Sequence, residues 1–226
     1  MDQIFIVPGY GVPADIFADD AYRAYLGFAF NRIFERAEEG GGIAVIFCGG
    51  KTDMFPPYRR SEAGEMKRYF SQLMRRACVR RKTKGWTLLT DSASLSTLEN
   101  LLNAKKLAEA RKLGGRVSVF CEFTRRGRIG KFARIIFGRA EILPLDFSLS
   151  SNRYLGADYL QAKEREAIAF DSWALRSEEN FRKYHRNFVE KFAFLRSYGP
   201  DRRQEAIKTW WENGKDRELR KGSDKK

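Results

Sequence analysis

Short apolar runs, each closed by glycine or proline and followed by an amphipathic stretch, recur along the first two thirds of this chain and restrict it to few folds. Gln3 to Val7 reads as a buried strand that Pro8-Gly9-Tyr10-Gly11 breaks, ahead of an amphipathic stretch from Asp19 to Glu38. Gly40-Gly41-Gly42 resets the chain into a second strand, Ile43 to Cys48. Gly49-Gly50 ends it, and Ser61 opens a helix running towards Cys78. The pattern continues with strands at Trp86 to Thr90, Arg116 to Cys121 and Glu141 to Leu145, separated by helices over Thr97 to Lys112 and Ile129 to Phe137.

Parallel neighbours in a sheet need a helix-length connection, so strands that alternate with helices in this way predict an α/β fold. The expected architecture is a doubly wound, mainly parallel sheet of about five strands with a C-terminal helical extension. Strand order is not encoded in so short a pattern. After Asp146 the chain turns polar and helical, with helices expected over Ala157 to Phe170 and Ser177 to Arg196, then a charged tail from Lys215 to Lys226. The expected division is residues 1–148 as the α/β domain, 149–214 as a helical extension packed on it, and 215–226 as the tail.

Forty-three Lys and Arg against 29 Asp and Glu give a formal net charge of +14, which favours anionic partners. The excess is clustered. Met66 to Thr90 carries eight basic residues and no acidic one, and Phe123 to Arg139 carries six and none. A run such as Arg75-Arg76, Arg80-Arg81-Lys82 and Lys84 either tracks a polyanion or is the solvated end of a helix. Without interleaved aromatic residues or a known RNA- or DNA-binding module, only weak, nonspecific nucleic-acid binding is expected. Cys48, Cys78 and Cys121 are odd in number and widely spaced, which suggests neither a disulfide framework nor a zinc site. No apolar run reaches bilayer length, no transmembrane segment or signal peptide is expected, and a reducing cytosol fits best.

Four segments, in order, resemble the motifs of the YdcF/SanA/ElyC-like family of uncharacterised domains. They are Pro8-Gly9-Tyr10-Gly11, Cys48-Gly49-Gly50, Ser61-Glu62-Ala63 with Met66, and Ser94-Leu95-Ser96-Thr97-Leu98-Glu99-Asn100. The last is the most specific. A fifth family signature, a strand end followed by a histidine and three residues later an arginine, corresponds to Val119 to Arg128: Arg128 looks like the family arginine, and Arg125 stands where the histidine is expected. With Arg125 in that place no role of the histidine carries over, and Cys121-Glu122 stands where small hydroxyl residues are usual. The resemblance implies a Rossmann-like fold and, for several members, a link to bacterial envelope biogenesis, with no reaction established for the family as a whole.

In an open α/β sheet the ligand sits beyond the carboxyl ends of the strands, and every one of these segments follows a strand. Gly9, Gly11, Gly49 and Gly50 either let a ligand approach the backbone or serve turn geometry alone. Glu62 and Glu99 fall in the first turns of helices, where the helix dipole favours an ionised carboxylate, and are the candidate catalytic bases. Against this, Ser96 with Glu99 fits a capping box and Ser61 can cap its own helix. Ser96, Thr97 and Asn100 are candidate ligand-binding residues, Asn100 having no capping duty. Glu122, Arg125 and Arg128 complete the set, the arginines suited to bidentate contacts with phosphate or carboxylate oxygens. The plain alternative for Arg125 and Arg126 is solvation or pairing with Glu122. His185, the sole histidine, lies far along the chain and reads as a surface residue, so a Ser-His-Asp triad on the motif loops is not expected. The expected ligand is a small anionic, phosphorylated or nucleotide-like molecule, with a nucleotide or S-adenosylmethionine as candidate cofactors. A hydrolase or transferase is the expected class, with a non-catalytic ligand sensor or a basic nucleic-acid-binding protein as the alternatives.

Overall fold

The computed structural model describes residues 3–38, 41–146, 157–214 and Leu219. The expected boundary at 148/149 and, apart from Leu219, the expected tail lie outside them. By internal contacts the chain forms two compact units, residues 1–53 with 58–150 and residues 54–57 with 151–226.

The first unit is built on five parallel strands, β1 (Gln3–Pro8), β2 (Ile43–Cys48), β3 (Thr87–Asp91), β4 (Arg116–Glu122) and β5 (Ala140–Leu145), in the order β3-β2-β1-β4-β5. The doubly wound, Rossmann-like α/β class expected from the alternation is the class observed. The chain starts at the centre, winds outward to β3, then returns past β1 to lay down β4 and β5. The connection reverses direction between β1 and β4, which pair in register with Gln3 opposite Arg116 and Ile6 opposite Val119.

Successive side chains on a strand point to opposite faces, and both faces are covered here, which is why β1 and β2 are apolar throughout. Phe5 and Val7 of β1 with Ile43, Val45 and Phe47 of β2 pack against α1 (Asp20–Arg36) and α2 (Glu62–Met74), through Tyr25, Leu26, Phe30, Ile33, Met66 and Phe70. The alternate residues Ile4, Ile6, Ala44 and Ile46 are also buried, as are Leu98, Leu101 and Ala104 of α4 (Thr97–Ala110) and Ile129, Phe132 and Ala133 of α5 (Arg126–Phe137). Asp19 caps α1 by accepting the Tyr22 N–H at 2.9 Å.

Two helical segments depart from expectation. The helix expected from Ser61 to Cys78 ends at Met74, and a separate helix α3 (Ala77–Thr83) follows. The buried series Met66, Phe70, Leu73 stops there, and residues 75–78 are exposed, so nothing holds a continuous helix against the core. The Arg75 and Arg76 N–H groups instead close α2 by donating to the Gln72 and Leu73 carbonyls, three residues back, at 3.2 and 3.3 Å. α5 begins three residues earlier than expected, after a 3-10 turn over Phe123–Arg125.

The second unit contains α6 (Ala157–Ala174), α7 (Glu178–Tyr198) and α8 (Arg203–Glu212), the last not anticipated from the sequence. Phe170 stacks on Trp173 and lies tilted against Tyr184, and the Tyr184 hydroxyl donates to buried Asp171 at 2.7 Å. Leu195, Ala206 and Met54 form a small core with Phe192, Phe194 and Ile207 against it. No helix among the described residues is long and apolar enough to cross a membrane.

Candidate functional site

All five strands are parallel, so the loops after β1, β2, β3 and β4 emerge at one edge of the sheet, and that edge gathers every candidate residue singled out above. Backbone bonds tie the loops together. The Gly9 N–H donates to Cys48 O at 2.7 Å, Gly49 N–H to Asp91 O at 3.0 Å and Gly50 N–H to Ser94 O at 2.6 Å.

The glycines of the first two loops make room for protein rather than for an open cleft. A Cβ on Gly9 would meet Glu62 Oε2 and, at 2.5 Å, Glu62 Cβ, and one on Gly49 would meet the same two atoms at 2.5 and 2.6 Å. Gly50 is pressed against the Ser94 carbonyl, 2.5 Å from where its Cβ would stand. Gly11 has φ +100°, a backbone conformation that L side chains rarely adopt. The buried Glu62 carboxylate also accepts the Thr52 hydroxyl through Oε1.

The start of α2 is satisfied from within. The N–H groups of Glu62 and Ala63 donate to the carbonyls of Gly50 and Gly49 at 3.0 Å, and that of Gly64 to Ser61 Oγ at 3.1 Å. Of the helix N-termini expected to offer donors to an anion, this one is therefore used up. At α4, Ser96 Oγ accepts the Glu99 N–H at 3.1 Å and Glu99 Oε2 takes the Leu95 N–H at 2.5 Å, a reciprocal capping arrangement displaced by one residue. The N–H groups of Thr97 and Leu98 meet no acceptor among the described residues.

Beside them, Arg128 Nη2 donates to Thr97 Oγ1 at 3.1 Å. One residue past Glu99, Asn100 is 6% exposed and its Oδ1 has no hydrogen-bond partner among the described residues. A buried acceptor left unpaired costs about 1–3 kcal/mol. The sequence reading set Asn100 apart from the capping residues, and the geometry does the same.

Arg125 does not pair with Glu122 as the plain alternative supposed. Glu122 Oε1 accepts the Thr124 N–H at 3.1 Å and its Oε2 takes the Thr124 hydroxyl, fixing the 3-10 turn after β4. The Arg125 guanidinium instead lies 4.8 Å over the Tyr10 ring, and the Tyr10 hydroxyl oxygen accepts the Glu122 N–H at 2.7 Å. Tyr10 thus spans β1 and β4 where the winding reverses. Burial pushes its phenol well above its usual range, so it stays neutral at physiological pH. Tyr22 holds the same loop by accepting the Tyr10 N–H at 2.7 Å and donating to Gly11 O at 2.6 Å.

Three groups at this edge were not assigned a role from the sequence. Asp91, the last residue of β3, accepts from the Ala93 N–H at 3.1 Å, from the Ser94 hydroxyl and from Asn103. Asp53 is almost fully buried and bridged by Arg60, whose Nε and Nη2 each lie 2.9 Å from it. Arg60 Nη1 also reaches the carbonyls of Pro13 and Ala14, pinning the β2–α2 loop to the β1–α1 loop. Asp91 was within reach of the strand-end rule applied to the third strand; the Asp53–Arg60 pair has no local signature.

Burial pushes the Cys48 thiol well up, and Cys121 is equally inaccessible, as suits packing residues. His185 is exposed on α7. Among the described residues no group of three or more His, Cys, Asp or Glu side chains is placed to hold a metal ion. No family model, no curated protein and no solved structure matches this chain.

Proposed function

We propose that this chain binds a small anionic molecule, phosphorylated or nucleotide-like, at the carboxyl edge of its sheet, with Arg128 and the start of α4 as the anchor. One observation carries this reading. The Arg128 guanidinium lies at the Thr97 hydroxyl, next to two backbone N–H groups that meet no acceptor, and a buried Asn100 carbonyl that meets no donor, among the described residues. Backbone donors at a helix start, reinforced by the dipole and a guanidinium fork, suit phosphate oxygens, and the Asn100 amide suits a polar group on the body of the ligand. Glu62 and Glu99 are the proposed general bases of a hydrolase or transferase, and a ligand sensor is the form this site takes if no turnover accompanies binding. The motif likeness to the YdcF/SanA/ElyC-like family supports the same edge and adds envelope metabolism as the proposed setting.

Calorimetry with a panel of nucleotides, S-adenosylmethionine and sugar phosphates tests it. At least one ligand is expected to bind, and Arg128→Ala should weaken that ligand by about tenfold or more, the worth of a charge-assisted contact. Unchanged binding by the variant removes the anchor. Glu62→Gln and Glu99→Gln should abolish turnover of that ligand while preserving its binding; binding without turnover in the unmodified chain favours the sensor.

A second reading, weak nonspecific polyanion binding, is favoured by the exposure of Arg75, Arg76, Arg80, Arg81 and Lys84 along one stretch. Such binding should fall steeply as salt rises, since each phosphate contact releases counterions.

A further inference from the structure

We propose that Arg125 and Arg128 act as a two-armed receptor that selects a diphosphate group over a single phosphate, a substrate class for the anion-binding reading on which this inference rests. Arg125 is held by stacking and not by a carboxylate. Its guanidinium centre sits 4.8 Å over the Tyr10 ring, and among the described residues none of its N–H donors is taken by a protein acceptor. The neighbouring carboxylate, Glu122, takes the N–H and hydroxyl of Thr124.

The platform beneath Arg125 is rigid. Tyr10 is fixed at its hydroxyl by Glu122, at its backbone by Tyr22, and along its ring edge by Tyr25, 5.5 Å away and itself bonded to Pro8 O at 3.0 Å. A cation stacked on an aromatic face keeps its in-plane N–H forks available, which a cation spent on an ion pair does not.

Arg125 thus stands at the reversal between β1 and β4, where ligands of doubly wound sheets collect. Arg128, three residues on in α5, reaches the start of α4 with its guanidinium. Arg125 ends the 3-10 turn and Arg128 lies in the first turn of α5, so the two long side chains leave the backbone about one turn apart, a spacing suited to adjacent phosphoryl groups that share a bridging oxygen. A single phosphoryl group needs only the Arg128 fork and the Thr97 and Leu98 N–H groups.

Calorimetric titrations of the full chain with inorganic pyrophosphate and with orthophosphate, at one fixed ionic strength, test the inference. Pyrophosphate is expected to bind about tenfold more tightly, the worth of one additional charge-assisted fork. Arg125→Ala should weaken pyrophosphate much more than orthophosphate and so remove most of the difference between them, and Arg125→Lys, which keeps the charge without the fork, should recover only part of it. Arg128→Ala should weaken both. Arg126→Ala, an equal loss of charge at an exposed neighbour, should leave the ratio as it was. Equal affinity for the two anions, or an unchanged ratio in Arg125→Ala, overturns the selectivity while leaving anion binding in place. Failure of both anions to bind overturns the underlying reading and the selectivity with it.

Discussion

The Glu62 side chain fills the space that a side chain on Gly9 would need, and it does so with its Cβ as well as its carboxylate. A flexible carboxylate tip could swing aside; a Cβ, 2.5 Å from the added atom, moves only with the backbone of α2. The first glycine loop and the second helix are therefore fitted to each other across the sheet edge.

Gly9→Ala is accordingly expected to lower stability by about 1–3 kcal/mol, the usual cost of overpacking a filled site. Gly27→Ala is the control. It lies inside α1 with nothing within 4 Å of the added Cβ, and should raise stability by roughly 0.5–1 kcal/mol through helix propensity. Urea denaturation of the two variants checks both signs; a neutral Gly9→Ala would mean that the loop and α2 yield easily.

The Arg36–Glu141 pair joins the end of α1 to β5 through bonds of 2.5 and 2.8 Å, and Ser118 adds a third at 3.1 Å. Its bond from Arg36 holds the Glu141 carboxyl below the usual carboxylate range. The stabilisation is thus fully present above the unfolded value of about pH 4.3 and is lost as pH falls through the lower folded value. Since the Glu141 side chain is 40% exposed, Glu141→Gln should cost no more than about 1 kcal/mol at neutral pH and should flatten the acid limb of the stability curve. Melting profiles from neutral to acid pH compare the two proteins; parallel curves would deny the pair any role.

Cys78 is exposed, whereas Cys48 and Cys121 are fully buried and burial pushes the Cys48 thiol up. One thiol of three should therefore react quickly with an aromatic disulfide reagent in the native protein, and all three after denaturation. Cys78→Ser should abolish the fast phase. A fast phase that persists in Cys78→Ser would show that the strand-end cysteines are reached by solvent.

What the sequence revealed follows from how local each feature is. Ile43–Cys48 was readable to the residue because a strand buried on both faces needs an unbroken apolar run between glycines. Ser61 and Ser96 announced their helices because capping depends on neighbours three residues away. The break between α2 and α3 escaped because it follows from the exposure of residues 75–78, between core partners on either side, and strand order escaped because pairing is long-range. α8 carries its own helical series in Ala206, Ile207 and Trp210. In the candidate site, the positions of Glu99, Asn100 and Arg128 at the carboxyl edge were readable from strand-then-helix order. The insertion of Glu62 between Gly9 and Gly49, the seating of Arg125 on Tyr10 and the Asp53–Arg60 clasp each join segments that only the folded sheet brings together.

The central claim is that an anion is held by Arg128 and the first turn of α4, and an amide chemical-shift titration of the isotope-labelled chain with inorganic phosphate addresses it residue by residue. The Thr97 and Leu98 amides and the Arg128 side-chain N–H should shift together along one saturating curve, and Arg128→Ala should weaken that curve. Shifts confined to the exposed basic residues from Arg75 to Lys84, with Thr97 and Leu98 unmoved, would contradict the account and make that surface the place where anions bind.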